Sequence, residues 1–361
     1  MSDTSLSDSA AIREAQKQGI IFSKDRKKIL GCRNKNITEV IIPDGVTSIH
    51  SQSFKFCCNL VRVVIPAGVK YIGKEAFGDC LNLKEVVLPD SVTTIGEYAF
   101  DECRKLKKIV LPDRVRTIGV CAFSNCQKLK LNIPASVKNI GFMAFDAVKK
   151  LTSDNKRFQI KEGGVLVDTK LKKLIYVPLS LSGTYRIPEG VAVIGETSFS
   201  HHDKLVEVII PEGVTVIERW TFNDCYNLRR VFLPESVTSI GFQAFVLCEM
   251  LEVNIPSGVT EIDSCTFFCV KSLSSNNSRF RVDRNVLIDF EKKEILNAGH
   301  SLSGDYSIPE GITCIGSLAF CCCKGLTRIT IPDSVKQIAS GAFNGSGCEE
   351  QVKRDYPHLF K

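Results

Sequence analysis

Prolines close the same short apolar run eleven times in this chain, and their spacing constrains the fold more than any other feature. They stand at Pro43, Pro66, Pro89, Pro112 and Pro134, at Pro188, Pro211, Pro234 and Pro256, and at Pro309 and Pro332. Within each group the spacing is 23 residues, except for two steps of 22. A fixed period between about 20 and 50 residues is the mark of stacked coils, each burying its apolar face against the next. The stretch Ile65–Val86 displays the unit as I-P-x-G/S-V-x-x-I-G-x-x-A-F-x-x-C-x-x-L-x-x-V.

Each position of the unit has a mechanical role. The run before the proline (Val86-Val87-Leu88, Val208-Ile209-Ile210) is β-branched and alternates sides, which predicts a short strand. Proline removes a backbone donor and fixes φ, so the strand stops at the same place in every coil. Glycines after the isoleucine, such as Gly73, Gly96 and Gly119, suit places where a side chain would clash. Phenylalanine recurs at one register as Phe54, Phe77, Phe100, Phe123, Phe145, Phe199, Phe222, Phe245, Phe267, Phe320 and Phe343. A residue repeated in this way stacks on its own copies, which predicts an aromatic spine that no single coil could bury.

The motif I-P-x-x-V-x-x-I-G-x-x-A-F-x-x-C-x-x-L resembles the BspA-like (Treponema pallidum type) leucine-rich repeats, and the resemblance runs from about Gly19 to Gly347. The expected fold is therefore a β-rich repeat solenoid. Its leucine-rich repeat coils, of about 23 residues with a parallel sheet, are interrupted by β-hairpin insertions. Three such insertions, at Gly19–Leu30, Gly164–Ile175 and Asn285–Ile295, pair two apolar runs around a lysine-bearing turn. They divide a single solenoid at 19–347 into blocks 19–157, 158–279 and 280–347, of which the first two are related by a shift of 122 residues. Residues 1–18 read as a flexible N-terminal tail or cap, with a short helix over Ala10–Lys17, and residues 348–361 as a C-terminal cap. The segments Lys149–Glu162 and Lys271–Arg284 break the coil pattern and are the expected places for a bend or mobility.

Of sixteen cysteines, Cys57, Cys80, Cys103, Cys126, Cys225, Cys248 and Cys323 stand three residues after a spine Phe. That register predicts a ladder of reduced, buried thiols rather than a disulfide framework. The chain has no C-x-x-C pair, so no metal and no cofactor is expected, although Cys314, Cys321, Cys322, Cys323 and Cys348 leave a redox or zinc site open. His201-His202-Asp203 reads as a polar turn rather than an acid–base site. The sequence contains no phosphate-binding loop, dinucleotide fingerprint or H-E-x-x-H motif, and no enzyme is expected.

Two outward rows remain on the strand face. The first, flanking the buried valine of each strand, reads Glu39, Arg62, Glu85, Lys108, Lys130, Thr184, Glu207, Arg230, Glu252, Asp305 and Arg328. Opposite charges there face each other across the ladder and fix its register. The second reads Ile41, Val64, Val87, Val110, Asn132, Arg186, Ile209, Phe232, Asn254, Ser307 and Thr330. Solenoids bind partners on such faces, so the best candidates for partner contact are Glu39, Arg62, Val64, Glu85, Val87, Lys108, Val110, Arg230 and Phe232.

The expected function is that of a non-enzymatic protein–protein interaction module; the resemblance adds an adhesin-like role. A structural spacer or self-assembly protein is the alternative. The partner is a protein, with no nucleic acid, since the basic coils around Pro112 lack interleaved aromatics, and the chain is expected to be a monomer. No apolar run is long enough for a membrane span. Reduced thiols and a start without a signal peptide favour the cytoplasm, whereas the resemblance favours the cell surface.

Overall fold

The computed structural model describes residues 3–359. Met1, Ser2, Phe360 and Lys361, which belong to the expected N-terminal tail and C-terminal cap, lie outside the described residues. The chain divides into two compact units, Met1–Thr169 and Lys170–Lys361, each built of β-solenoid coils.

In the first unit a helix at Asp3–Lys17, longer than the expected Ala10–Lys17, buries Ile12 and Ala15. A hairpin follows, with Ile20–Phe22 antiparallel to Lys28–Cys32. Each coil then contributes two strands. The longer ones, Glu39–Ile41, Arg62–Val64, Glu85–Val87 and Lys108–Ile109, form a parallel ladder that sets Val40, Val63, Val86 and Ile109 side by side in the core. A second parallel ladder links Ser48–Ile49, Tyr71–Ile72, Thr94–Ile95, Thr117–Ile118 and Asn139–Ile140. Two residues per strand are too few to show an alternation in sequence, so the second ladder is invisible until coils stack.

The glycines that follow those strands answer to close approach, not to a special φ. A Cβ on Gly119 would sit 2.5 Å from the backbone nitrogen of Glu97, and one on Gly141 would sit 2.4 Å from that of Val120. Left-handed backbone instead falls on non-glycine residues two before and two after the spine Phe: Tyr98 and Glu102 flank Phe100, and Trp220 and Asp224 flank Phe222, with φ between 54° and 60°.

Between them the phenylalanines stack. Phe54, Phe77, Phe100 and Phe123 lie 5.2–5.4 Å apart centroid to centroid and within 7° of parallel, with Phe145 next at 6.4 Å. In the second unit Phe222 stacks on Phe199, Phe245 and Phe267 continue the column, and Phe320 pairs with Phe343 at 5.2 Å. Tyr185 and Tyr306 tilt against the first ring of each column there.

Beside the rings runs the thiol ladder. Cys80, Cys103 and Cys126 each donate to the carbonyl of the spine Phe one coil back at 3.2 Å, and Cys225 and Cys248 do so at 2.9 and 3.0 Å. All sixteen cysteines are free thiols. Val148 and Val270 fill the same slot as buried apolar residues, and His202 fills it with its Nδ1 3.0 Å from the Ser200 carbonyl.

The segments at 149–162 and 271–284 contain strands of their own. Lys150–Ser153 pairs parallel to Lys130–Ile133, and Phe158–Ile160 pairs antiparallel to Leu166–Asp168. The amide of Asn155, buried between them, donates to the carbonyls of Pro134, Ala135 and Val137 and accepts from the backbone of Arg157 and Phe158. Arg157 then clamps the buried carboxylate of Asp168 at 2.6 Å. Asn277, Arg279 and Asp289 repeat the device in the second unit. Burial works against the Asp289 carboxylate, but the hydrogen bond from Arg279 and backbone donors outweigh it and hold the group below its usual range.

The second unit repeats both ladders. Gly183–Arg186, Leu205–Ile209, Arg230–Phe232, Glu252–Ile255 and Ser272–Ser275 form the longer one. A meander of Phe280–Asp283, Val286–Asp289 and Glu294–Ala298 is a three-stranded form of the expected hairpin. At the C-terminal end the helix Glu349–Asp355 lies on the last long strand, Leu326–Thr330. There Gln351 bonds both the N–H and the C=O of Ile329, and the Tyr356 hydroxyl accepts from the N–H of Ile331. An edge that would otherwise offer free backbone groups is thereby closed.

Candidate partner-binding face

The longer ladder of the first unit brings seven of the candidate residues onto one surface. Because Val40, Val63, Val86 and Ile109 point inward, their neighbours on either side point out. The first outward row is an ion-pair network: Arg62 reaches Glu39 at 2.7 Å and Glu85 at 3.5 Å. The hydrogen bond that Arg62 donates to Glu39 is the main cause of an upward shift in its guanidinium. Lys108 lies opposite Glu85 in register, yet Glu85 turns to Arg62. Beside the charges runs the apolar row: Ile41 is 64% exposed, Val64 is half-buried, Val87 is 39% exposed and Val110 is 81% exposed.

Arg230 and Phe232 occupy the equivalent rows of the second unit. Arg230 stands 3.6 Å from Glu207, Phe232 is 47% exposed, and Ile209 beside it is half-buried. A further pair continues the charged row, Lys271 to Glu252 at 2.7 Å, and keeps the Glu252 carboxylate below its ordinary range.

The remaining chemistry-bearing residues do not converge. Among the described residues no three His, Cys, Asp or Glu side chains stand together in a way that could hold a metal ion. His201 faces Asp224 at 3.6 Å while His202 is buried against Phe199, so the His201-His202-Asp203 run forms no site. Cys321 and Cys322 touch at 3.6 Å, and Cys322 lines a cavity of about 200 Å³ with Cys269, His300, Glu249 and Lys324. Burial pushes the Cys321 thiol up to about 12 and Cys269 higher, which leaves both as poor nucleophiles. A larger groove, about 580 Å³, runs over the second ladder of the first unit past Tyr71, Thr94, Thr117, Asn139 and the Lys74–Glu97 ion pair. Sequence reasoning missed it because its floor is the second ladder. Among the described residues no helix is long and apolar enough to cross a membrane.

The profile of the BspA type leucine rich repeat region matches residues 31–152, 180–280 and 300–353, in six copies. The chain belongs to the BspA-type leucine-rich repeat family. Among solved structures it is similar to a leucine rich cell surface protein of Faecalibacterium prausnitzii, at 26% identity and a TM-score of 0.56, covering 82% of this chain and 80% of that one. It is also similar in fold to a leucine-rich repeat protein of Eubacterium ventriosum, at 22% identity and a TM-score of 0.61, covering 89% and 88%. No curated protein matches the chain. Membership in the BspA-type family points to protein–protein interaction or a surface role, and its repeats are typically non-enzymatic.

Proposed function

We propose that this chain is a non-enzymatic protein-interaction module, adhesin-like in use, that takes a protein partner on the strand face. Glu39, Arg62, Val64, Glu85, Val87, Lys108 and Val110 supply the contacts in the first unit, and Arg230 and Phe232 in the second. The observation that carries this reading is the uncovered apolar row from Ile41 to Val110 alongside paired charges. Apolar side chains scattered singly over a surface need no explanation, but a contiguous row beside a charged rim is the composition of an interface core. The likeness to a bacterial cell surface protein agrees with it.

The test is to screen the purified chain against an array of extracellular and cytosolic proteins and to remeasure each hit with Val64→Asp/Val87→Asp and Phe232→Asp. Hot-spot behaviour predicts that at least one of these weakens binding by about tenfold or more. Hits that bind all variants as tightly as the wild type overturn the assignment.

A further inference from the structure

The formal charge of the chain is concentrated in one stretch. Residues 103–150 contain eleven Lys and Arg against only Asp113 and Asp146, a net +9, while the whole chain carries +7. On the strand face the charged row changes character within this stretch. Up to Glu85 it is neutralised through Arg62. From Lys108 onward it holds Lys108, Lys130 and Lys150 at the same outward position of three successive coils, each beside a buried core residue (Ile109, Leu131, Leu151). Among the described residues none of the three has an acidic group at ion-pair distance; Asp154, four residues after Lys150, is held by Asn132 at 2.6 Å.

Lys130 and Lys150 stand directly opposite each other in the strand register. Like charges in that position destabilise a sheet, so the ladder itself gains nothing from them. Lys107 and Lys149, both exposed, add to the same edge. Val110 follows Lys108 by two residues on the same face and is the most exposed member of the apolar row.

We infer that Lys108, Lys130 and Lys150, with Val87 and Val110 beside them, form a docking site for an acidic segment of a partner protein that lays an apolar side chain on the valines. The inference rests on the strand-face reading and specifies its partner. Charge complementarity gives the sign of that partner and speeds its encounter. The apolar row gives its class: desolvating Val110 favours a partner with apolar side chains, which a sulfated polysaccharide lacks. The outward rows at 108–110, 130–132 and 150–152 contain no aromatic on which a nucleic-acid base could stack. All three cations are lysines, without the planar fork that reads phosphate in two places at once.

The experiment is selection of a displayed random peptide library on the full chain, with heparin and poly(U) RNA as parallel probes. Enriched peptides are expected to combine several Asp or Glu with at least one large apolar residue. Their binding should fall about tenfold in Lys108→Glu/Lys130→Glu/Lys150→Glu and by a similar factor when salt rises from about 0.05 to 0.3 M. Val87→Ser/Val110→Ser should weaken it as well. Lys130→Gln/Lys150→Gln, which relieves the repulsion without reversing charge, serves as the second variant if the triple reversal melts early. Peptides that depend on Val64 and Val87 but not on the lysines overturn this inference and leave the strand-face reading standing. Peptides indifferent to both sets overturn both. Tighter, lysine-dependent binding of heparin or poly(U) overturns the protein partner in favour of a linear polyanion, and no enrichment over a blank surface overturns the site.

Discussion

The thiol of Cys103 donates to the carbonyl oxygen of Phe77 at 3.2 Å, one coil back, and both residues are fully buried. The ladder built from this contact joins the aromatic column to the coil backbone. Burial pushes Cys80 up to about 12, and Cys103 and Cys248 well above the ordinary thiol range.

Stability should therefore fall with rising pH above about 9. The native state holds these protons while the unfolded chain releases them at the ordinary thiol pKa, so the unfolded state binds fewer protons. Each such thiol lowers stability by about 1.4 kcal/mol per pH unit from there up to its folded pKa, and contributes no slope below pH 8. Urea unfolding at several pH values checks this. The slope for Cys103→Ala should be shallower by one thiol's share; an unchanged slope would show that Cys103 ionises normally.

The aromatic column predicts a position effect. Phe100 has a ring on each side, at 5.3 and 5.4 Å, whereas among the described residues Phe343 stacks on one ring, Phe320. Phe100→Ala is expected to cost about 3–5 kcal/mol, and Phe343→Ala less, both read from denaturant midpoints.

Asn155 sets a sharper requirement. Its Nδ2 donates to three carbonyls and its Oδ1 accepts two backbone N–H groups, all inside the first unit. Asn155→Ala strands these groups and should cost at least about 3 kcal/mol. Asn155→Asp should be no better, because a carboxylate cannot donate to the Pro134, Ala135 and Val137 carbonyls. Thermal melts of the two variants test this, and an Asp variant as stable as wild type would refute it.

How much could be read beforehand depended on repetition. Phe100 and Cys103 were legible because eleven coils and seven cysteines hold the same register, and Arg62 and Val64 could be placed outward because Val63 alternates with them. Asn155 has a single counterpart, Asn277, one block later. Its signal was the match of Ser153, Asn155, Arg157 and Phe158 to Ser275, Asn277, Arg279 and Phe280 at the shift of 122, which has no meaning until the buried amide is seen. The pairing of Glu85 with Arg62 rather than Lys108 was also hidden, since the register offers both partners and side-chain geometry selects one.

The left-handed residues give the last prediction. Phe56 has φ of 62° and is 54% exposed, two residues after the fully buried Phe54, and its N–H donates to Gly78 at 3.0 Å. A side chain with a Cβ is strained in this region by about 1–2 kcal/mol, whereas glycine is not. The coil tolerates that strain because the inter-coil hydrogen bond fixes the backbone whatever the side chain. Phe56→Gly should thus be more stable than Phe56→Ala by about 1 kcal/mol, the reverse of the order in an ordinary strand or helix interior. The comparison uses paired denaturation curves. Alanine equal to or better than glycine would mean that the backbone at this corner relaxes out of the left-handed region and that the hydrogen bond to Gly78 does not hold it there.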